Sequence, residues 1–163
     1  MKRSHKKAVK IVLVVTSVGF IVWIYYAGRV EAPLFTAKDI YGGTFSLKEF
    51  KGRVILIYFW RIRCIPSMKS VDRIRMLSKR FEGLIVVGVC IDRNVSMVRN
   101  YVKLRNISWR IIIDNGTISE LYGVTGTPEF ILIDKDGYIA YRLKGLRDDF
   151  DHLMSKKISK LNP

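Results

Sequence analysis

An α/β domain built around a central mixed sheet is what this chain predicts, and three observations carry the prediction. Two continuous apolar runs of strand length, at 54–60 and 84–91, bracket a segment with helical spacing. That is the pattern of two parallel strands joined by a crossover helix. Asp136-Gly137 then separates two further strand-like runs and adds an antiparallel hairpin. A length of 163 residues suits one such domain plus a short appendage.

The appendage comes first. Residues 1–10 form a basic leader carrying Lys2, Arg3, Lys6, Lys7 and Lys10, and 11–28 is an uncharged, mostly apolar run long enough to span a membrane. Five basic residues before the run face only Arg29 and Glu31 after it, so the positive-inside rule places the N-terminus in the cytoplasm and the remainder outside. Trp23, Tyr25 and Tyr26 suit the outer aromatic belt. A cleaved signal peptide is the rival reading. Against it, a cut after Ala27 would put bulky Tyr25 upstream, and a cut after Ala32 would put Pro33 just beyond. Residues 29–33 read as a linker and 34–163 as the folded domain.

Within that domain, Gly42-Gly43 precedes a short strand, and Ser46 is placed to cap a brief helix ending at Phe50. The run at 54–60 reads as a central strand buried on both faces, with helices on either side. A helix at 66–81 follows, then a strand at 84–91, a helix at 95–105, a strand at 109–113 and a short helix at 118–122. Strands at 129–134 and 138–143 form the hairpin, and a helix at 148–161 finishes the chain.

Composition narrows the chemistry. The formal charge is +15, and beyond residue 33 there remain 23 basic and 13 acidic side chains. A basic exported domain favours acidic partners or an anionic membrane surface. Nucleic acid is not expected, because the basic residues are dispersed and no recognition motif occurs. Two cysteines, Cys64 and Cys90, are too few for a disulfide scaffold. The histidines, His5 and His152, lie far in sequence from Cys64, so neither a zinc site nor a Cys-His pair is assembled. No metal or cofactor is expected.

Cys64 is the candidate reactive residue. It stands where an apolar strand gives way to a helix, among unpaired backbone N–H groups and the positive end of the helix dipole, which favour thiolate over thiol. Pro66 suits the first helical turn, and Arg61 and Arg63 add positive charge. A buried, inert cysteine is the plainer alternative.

The ordered set Phe59-Trp60-x-x-x-Cys64-x-Pro66, Val87-Gly88-Val89-Cys90-Ile91-Asp92, Tyr122-Gly123-Val124, Gly126-Thr127-Pro128 and Ile133-Asp134-Lys135-Asp136-Gly137 resembles the thioredoxin superfamily, most closely its membrane-anchored TlpA/ResA-like branch. The resemblance implies a thioredoxin-like fold over about 34–160. It implies that Cys64 is the attacking cysteine, that Pro128 is the cis-proline beside the active site, and that Thr127 offers backbone hydrogen bonds to an incoming chain. It further implies that the Trp60 indole reaches a carboxylate, for which Asp92 is the matching residue.

Three departures bear on mechanism. The second cysteine of the family's Cys-x-x-Cys is Ser67, the polar residue often found six positions before the attacking cysteine is Tyr58, and the tryptophan before the cysteine is Arg63. Serine forms no disulfide, so the expected chemistry is monothiol exchange. Cys64 attacks a disulfide in an exported protein, and another thiol, from the substrate or from an external donor, releases the mixed disulfide. Ser67 is expected to donate to the Cys64 sulfur. Cys90 is the sole internal candidate to resolve Cys64, though its Val-Gly-Val-Cys-Ile setting suits a buried structural role.

A peroxiredoxin-like peroxidase is a less favoured alternative. The threonine and proline that chemistry needs, three and seven residues before the cysteine, are Arg61 and Ile57 here. A copper chaperone of the Sco kind lacks its second cysteine and its histidine. A non-catalytic thioredoxin-fold binding module stays open.

Overall fold

The computed structural model describes residues 28–161. The leader and the expected anchor at 11–28 lie outside the described residues, apart from Gly28. Among the described residues no helix is long and apolar enough to cross a membrane. From Glu31 onward the chain forms one compact unit.

Strand β3 (Ile55–Trp60) is the axis of the domain, and all six of its residues are buried. It pairs in parallel with β4 (Ile85–Cys90) and antiparallel with β6 (Glu129–Ile133). Beyond these, β5 (Arg110–Ile113) extends the sheet in parallel from β4, and β7 (Ile139–Lys144) closes the other edge as the hairpin partner of β6. The order is β5-β4-β3-β6-β7, a mixed sheet as expected. Gly137 takes a φ of +94° in the hairpin turn, a conformation open to glycine at little cost. The Asp134 carboxylate accepts the Asp136 and Tyr138 N–H groups there, both at 3.0 Å.

Alternation along β3 divides the core in two. Val54, Leu56, Tyr58 and Trp60 face α1 (Ile65–Arg80), α2 (Val95–Leu104) and α4 (Phe150–Leu161), packing with Val71, Ile74, Val98, Phe150 and Met154. Ile55, Ile57 and Phe59 face the other side. The second face departs from expectation. Instead of long helices it is covered by the short hairpin of β1 (Thr36–Lys38) and β2 (Thr44–Ser46), a 3-10 turn at Leu47–Phe50, and the five-residue α3 (Thr117–Leu121). Aromatic rings fill the space that short elements leave: Phe35, Phe45 and Tyr122 pack there, with Phe35 and Tyr122 edge to face at 6.1 Å.

Two local expectations are corrected. Ser46 makes no capping hydrogen bond to the 3-10 turn. Its Oγ instead accepts from Thr36 Oγ1 at 3.2 Å, across the β1–β2 pair. The segment read as a linker is strapped to the domain from Glu31: Glu31 bridges Tyr138, and the buried Ala32 donates its N–H to Gly137 O at 2.9 Å.

Candidate active site

Parallel strands bring their C-terminal ends to one edge of the sheet, which is where the site forms. Trp60 is paired with Cys90 in register, and Ile91 N–H donates back to Trp60 O at 3.0 Å, so both chains leave the sheet together. From there the chain turns through Arg61-Ile62-Arg63, and Cys64 becomes the N-cap residue of α1, with extended backbone at φ −111° and ψ 108°. Its carbonyl accepts the first helical hydrogen bond, from Met68 N–H at 2.9 Å. Pro66 lies in the first turn, where its missing N–H leaves no bond unmade. Helix α1 starts at Ile65, so the thiol stands at its positive end.

Opposite the thiol, the Thr127-Pro128 peptide bond is cis. The Cys64 thiol donates to Thr127 O at 3.4 Å. Cys64 is partly exposed, Pro128 is buried beneath it, and Ile65, 62 % exposed, forms an apolar rim beside it. Burial pushes the Cys64 thiol up. The Ser67 hydroxyl and N–H, the Thr127 side chain and the Arg61 charge more than offset that, and the net shift is downward. These groups interact with the thiolate more strongly than with the thiol. The expected hydrogen bond from Ser67 to the Cys64 sulfur is not formed, since the Ser67 hydroxyl is buried without a partner, yet its position beside the sulfur favours the thiolate.

Tyr58 takes a part the sequence did not announce. From the middle of β3 its hydroxyl donates to Ser67 O at 2.5 Å and lies 2.7 Å from Ser70 Oγ, which itself donates to Ser67 O. Burial drives the phenol pKa far above its ordinary value, so the group stays protonated and acts as a donor. Position 58 thus anchors the first turn of α1.

The expected Trp60–Asp92 contact does not form. Trp60 turns toward the α1 face, with Tyr101 at 5.6 Å between ring centres, and its indole N–H is buried without a partner. Asp92 follows the end of β4 and accepts the Ile62 N–H at 2.6 Å. It still supports the site, by pinning the turn that leads to Cys64. Arg63 is exposed, and among the described residues no hydrogen bond or ion pair joins it to the thiol.

Cys90 is a free cysteine, fully buried, with its thiol donating to Asp92 Oδ2 at 3.8 Å. Burial, assisted by the Asp92 charge, pushes its pKa up to about 12. A thiol so held is a poor nucleophile, which fits the structural role and not the resolving one.

Two groups near the thiol went unsuspected. Glu129, immediately after Pro128, is 1 % exposed, and its carboxylate has no hydrogen bond, only an ion pair with Arg142 Nε at 3.2 Å. Burial raises its pKa, with Arg142 and Lys144 opposing. On the far side of Thr127, whose carbonyl accepts from the Cys64 thiol, a cleft of about 310 Å³ opens between Arg61, Arg93, Asp114, Asn115 and Thr127. The charge of Glu129 was visible in the sequence but its burial was not, and the cleft is assembled from four segments distant in sequence.

The chain is similar to known proteins over most of its length. The model of the AhpC/TSA family matches residues 29–142. The thiol-disulfide oxidoreductase ResA of Bacillus cereus is 31% identical over 157 residues, covering 89% of this chain and 91% of the relative. The thioredoxin-like protein YneN of Bacillus subtilis is 28% identical over 113 residues, covering 67% of this chain and 66% of the relative. Among solved structures, a thiol:disulfide interchange protein DsbE from Chlorobium tepidum superposes with a TM-score of 0.78 at 23% identity, over 83% of this chain and 97% of that one. With Cys64 at a helix start, a cis-proline opposite it and these matches over most of its length, the chain belongs to the AhpC/TSA family, among its thioredoxin-like thiol-disulfide oxidoreductases of the ResA kind.

Proposed function

We propose that this protein exchanges disulfides by a monothiol mechanism through Cys64, acting on cysteine-containing exported proteins from the outer face of the membrane. One observation carries the reading. The Cys64 thiol is accessible, its pKa is lowered, it faces Thr127 O beside Pro128, and it has no second thiol within its own helix turn. The thiolate attacks one sulfur of a substrate disulfide. A mixed disulfide forms at Cys64, and the other substrate sulfur leaves as a thiolate. Ser67 cannot complete the exchange, and Cys90 is buried and held protonated, so the second thiol comes from outside the chain. Thr127 O, which holds the thiol proton at rest, is freed when the thiolate forms and becomes an acceptor for the backbone of the bound substrate.

Membrane anchorage rests on the basic leader and the apolar run at 11–28, and the outward position of the domain rests on the charge asymmetry around that run. The peroxidase alternative gains no support at the site, where Arg61 is exposed and Ile57 buried at the positions that chemistry would use.

The test is direct. The full-length protein in nonionic detergent, given a peptide disulfide and an external thiol, should reduce the peptide catalytically. Mass spectrometry should find the peptide on Cys64, and Cys64→Ser should abolish both signals. Tight binding of the peptide with no covalent adduct at Cys64 would reject the exchange mechanism and leave a binding module.

A further inference from the structure

The cleft on the far side of Thr127 has a charge pattern that the exchange mechanism alone does not use. Arg61 and Arg93 are exposed on its rim, and among the described residues neither guanidinium is engaged in an ion pair or hydrogen bond. The acidic residue in the wall, Asp114, is 3 % exposed and fully engaged: its carboxylate accepts Ile118 N–H and Ser119 N–H, each at 2.9 Å, and the Ser119 hydroxyl at 2.5 Å. Those donors hold its charge within the wall. What faces the opening is two guanidinium groups, which pair with carboxylates through two parallel N–H donors. Thr127 lines the same cleft and its carbonyl accepts from the Cys64 thiol at 3.4 Å, so one wall of the cleft is in direct contact with the reacting residue. The size, about 310 Å³, is at the small end of ligand sites and fits a small molecule better than a folded chain.

We propose that this cleft binds the external thiol itself, a small thiol bearing one or two carboxylates that Arg61 and Arg93 hold while its sulfur faces Cys64. The proposal rests on the monothiol reading above and names the co-reactant that reading requires. The incoming thiolate attacks Cys64 Sγ in the mixed disulfide. The bond from Cys64 to the substrate sulfur breaks, the substrate leaves as a thiolate, and Cys64 is now joined to the small thiol. A second equivalent attacks the sulfur of that bound small thiol, forming the small-molecule disulfide and returning Cys64 as a thiolate. One protein disulfide is reduced, two small thiols are oxidised, and the thiol protons pass to solvent and then to the substrate thiolates.

The experiment loads Cys64 of the full-length protein, in nonionic detergent, with 2-thiopyridine and follows its release by 3-mercaptopropionate or by neutral 2-mercaptoethanol, with rates compared per thiolate. The anionic thiol should be favoured by about tenfold, equivalent to about 1.4 kcal/mol, and its rate should saturate with concentration. In the Arg61→Ala/Arg93→Ala variant the preference should fall to near unity. The preference is read as the ratio of the two thiols' rates within each variant, which cancels the effect of losing the Arg61 charge on the Cys64 sulfur, and far-UV circular dichroism checks the fold. Lys69→Ala, which removes an exposed charge on α1 outside the cleft, should keep the preference. Arg61→Lys/Arg93→Lys, retaining charge without the planar fork, should lie between. No preference in the native protein, or an equal fall in Lys69→Ala, would overturn the proposal while leaving thiol exchange standing. Failure of Cys64 to take the thiopyridyl group at all would reject thiol exchange and this proposal together.

Discussion

The Tyr58 hydroxyl donates to the Ser67 carbonyl at 2.5 Å, tying the middle of the central strand to the first turn of the helix that presents Cys64. The bond is fully buried, and Ser70 Oγ shares the same acceptor. Position 58 holds a donor that stays protonated, so it can fix the helix without taking part in proton transfer.

Tyr58→Phe removes that donor and leaves the aromatic stack on Phe130 in place. Ser70 still satisfies the Ser67 carbonyl, so the loss is one buried hydrogen bond, about 1–2 kcal/mol of stability by urea denaturation. Unchanged stability would show that the Tyr58 hydroxyl does not hold the helix start.

Cys64 should react with iodoacetamide with a midpoint below the free-cysteine value of about 8.5. Ser67→Ala should move the midpoint up, because it deletes a hydroxyl that stabilises the thiolate. The same shift enters stability. A depressed folded-state pKa means the unfolded chain binds the proton more tightly, so the contribution is complete above the unfolded pKa and is lost as pH falls through the folded one. The stability of the native protein relative to Cys64→Ala should therefore rise with pH across that interval, and a flat difference would count against a stabilised thiolate.

Where sequence was informative, the signal was local. The two-sided burial of β3 shows as an unbroken apolar run, the junction at Cys64 follows from that run meeting Pro66, and the β6–β7 turn follows from Asp136-Gly137. Long-range polar contacts were not legible. Asp92 meets the Ile62 N–H thirty residues away, not the Trp60 indole, because Trp60 lies on the helix-covered face of the sheet while Asp92 lies beyond the end of β4. Composition cannot foretell that geometry. The strap at Glu31 and Ala32 was missed for a related reason: its hydrogen bond is to the backbone of Gly137, which carries no side-chain signature.

Cys90 should be silent in the folded protein. With its thiol buried and its pKa pushed up to about 12, a chromogenic disulfide should titrate one thiol natively and both only in denaturant. Two thiols titrating at similar rates in the native state would restore Cys90 as a resolving candidate.

Glu129→Gln tests the buried carboxylate behind Pro128. Folding raises its pKa, so the folded state holds the proton more tightly than the unfolded chain. Its contribution favours folding below the unfolded carboxylate pKa and is lost as pH rises through the folded value. Gln carries no charge at any pH, so the variant should gain stability over the native protein at neutral pH, and the gain should shrink on acidification. Arg142, one-third exposed, can return to solvent when its partner is removed. A variant less stable at neutral pH would show that the Arg142 pair outweighs the cost of burying Glu129.

Ser67→Cys restores the second thiol of the family motif and tests what its replacement changed. Ser67 is buried in the first turn of α1, three residues from Cys64, and its hydroxyl is among the groups that lower the Cys64 pKa. A thiol there lies where it can attack a mixed disulfide on Cys64, and the closed product is an internal disulfide. Mild oxidation should therefore reduce the accessible and denaturant-exposed thiols of the variant from three to one, leaving Cys90, while the native protein keeps both of its own. The lifetime of a peptide adduct on Cys64 should fall correspondingly, since release no longer waits for an external thiol. If the variant keeps all three thiols after oxidation and its adduct persists, then the backbone fixed by Tyr58 and Ser70 holds position 67 out of reach. The monothiol character would then be built into the helix start as well as into the residue at 67.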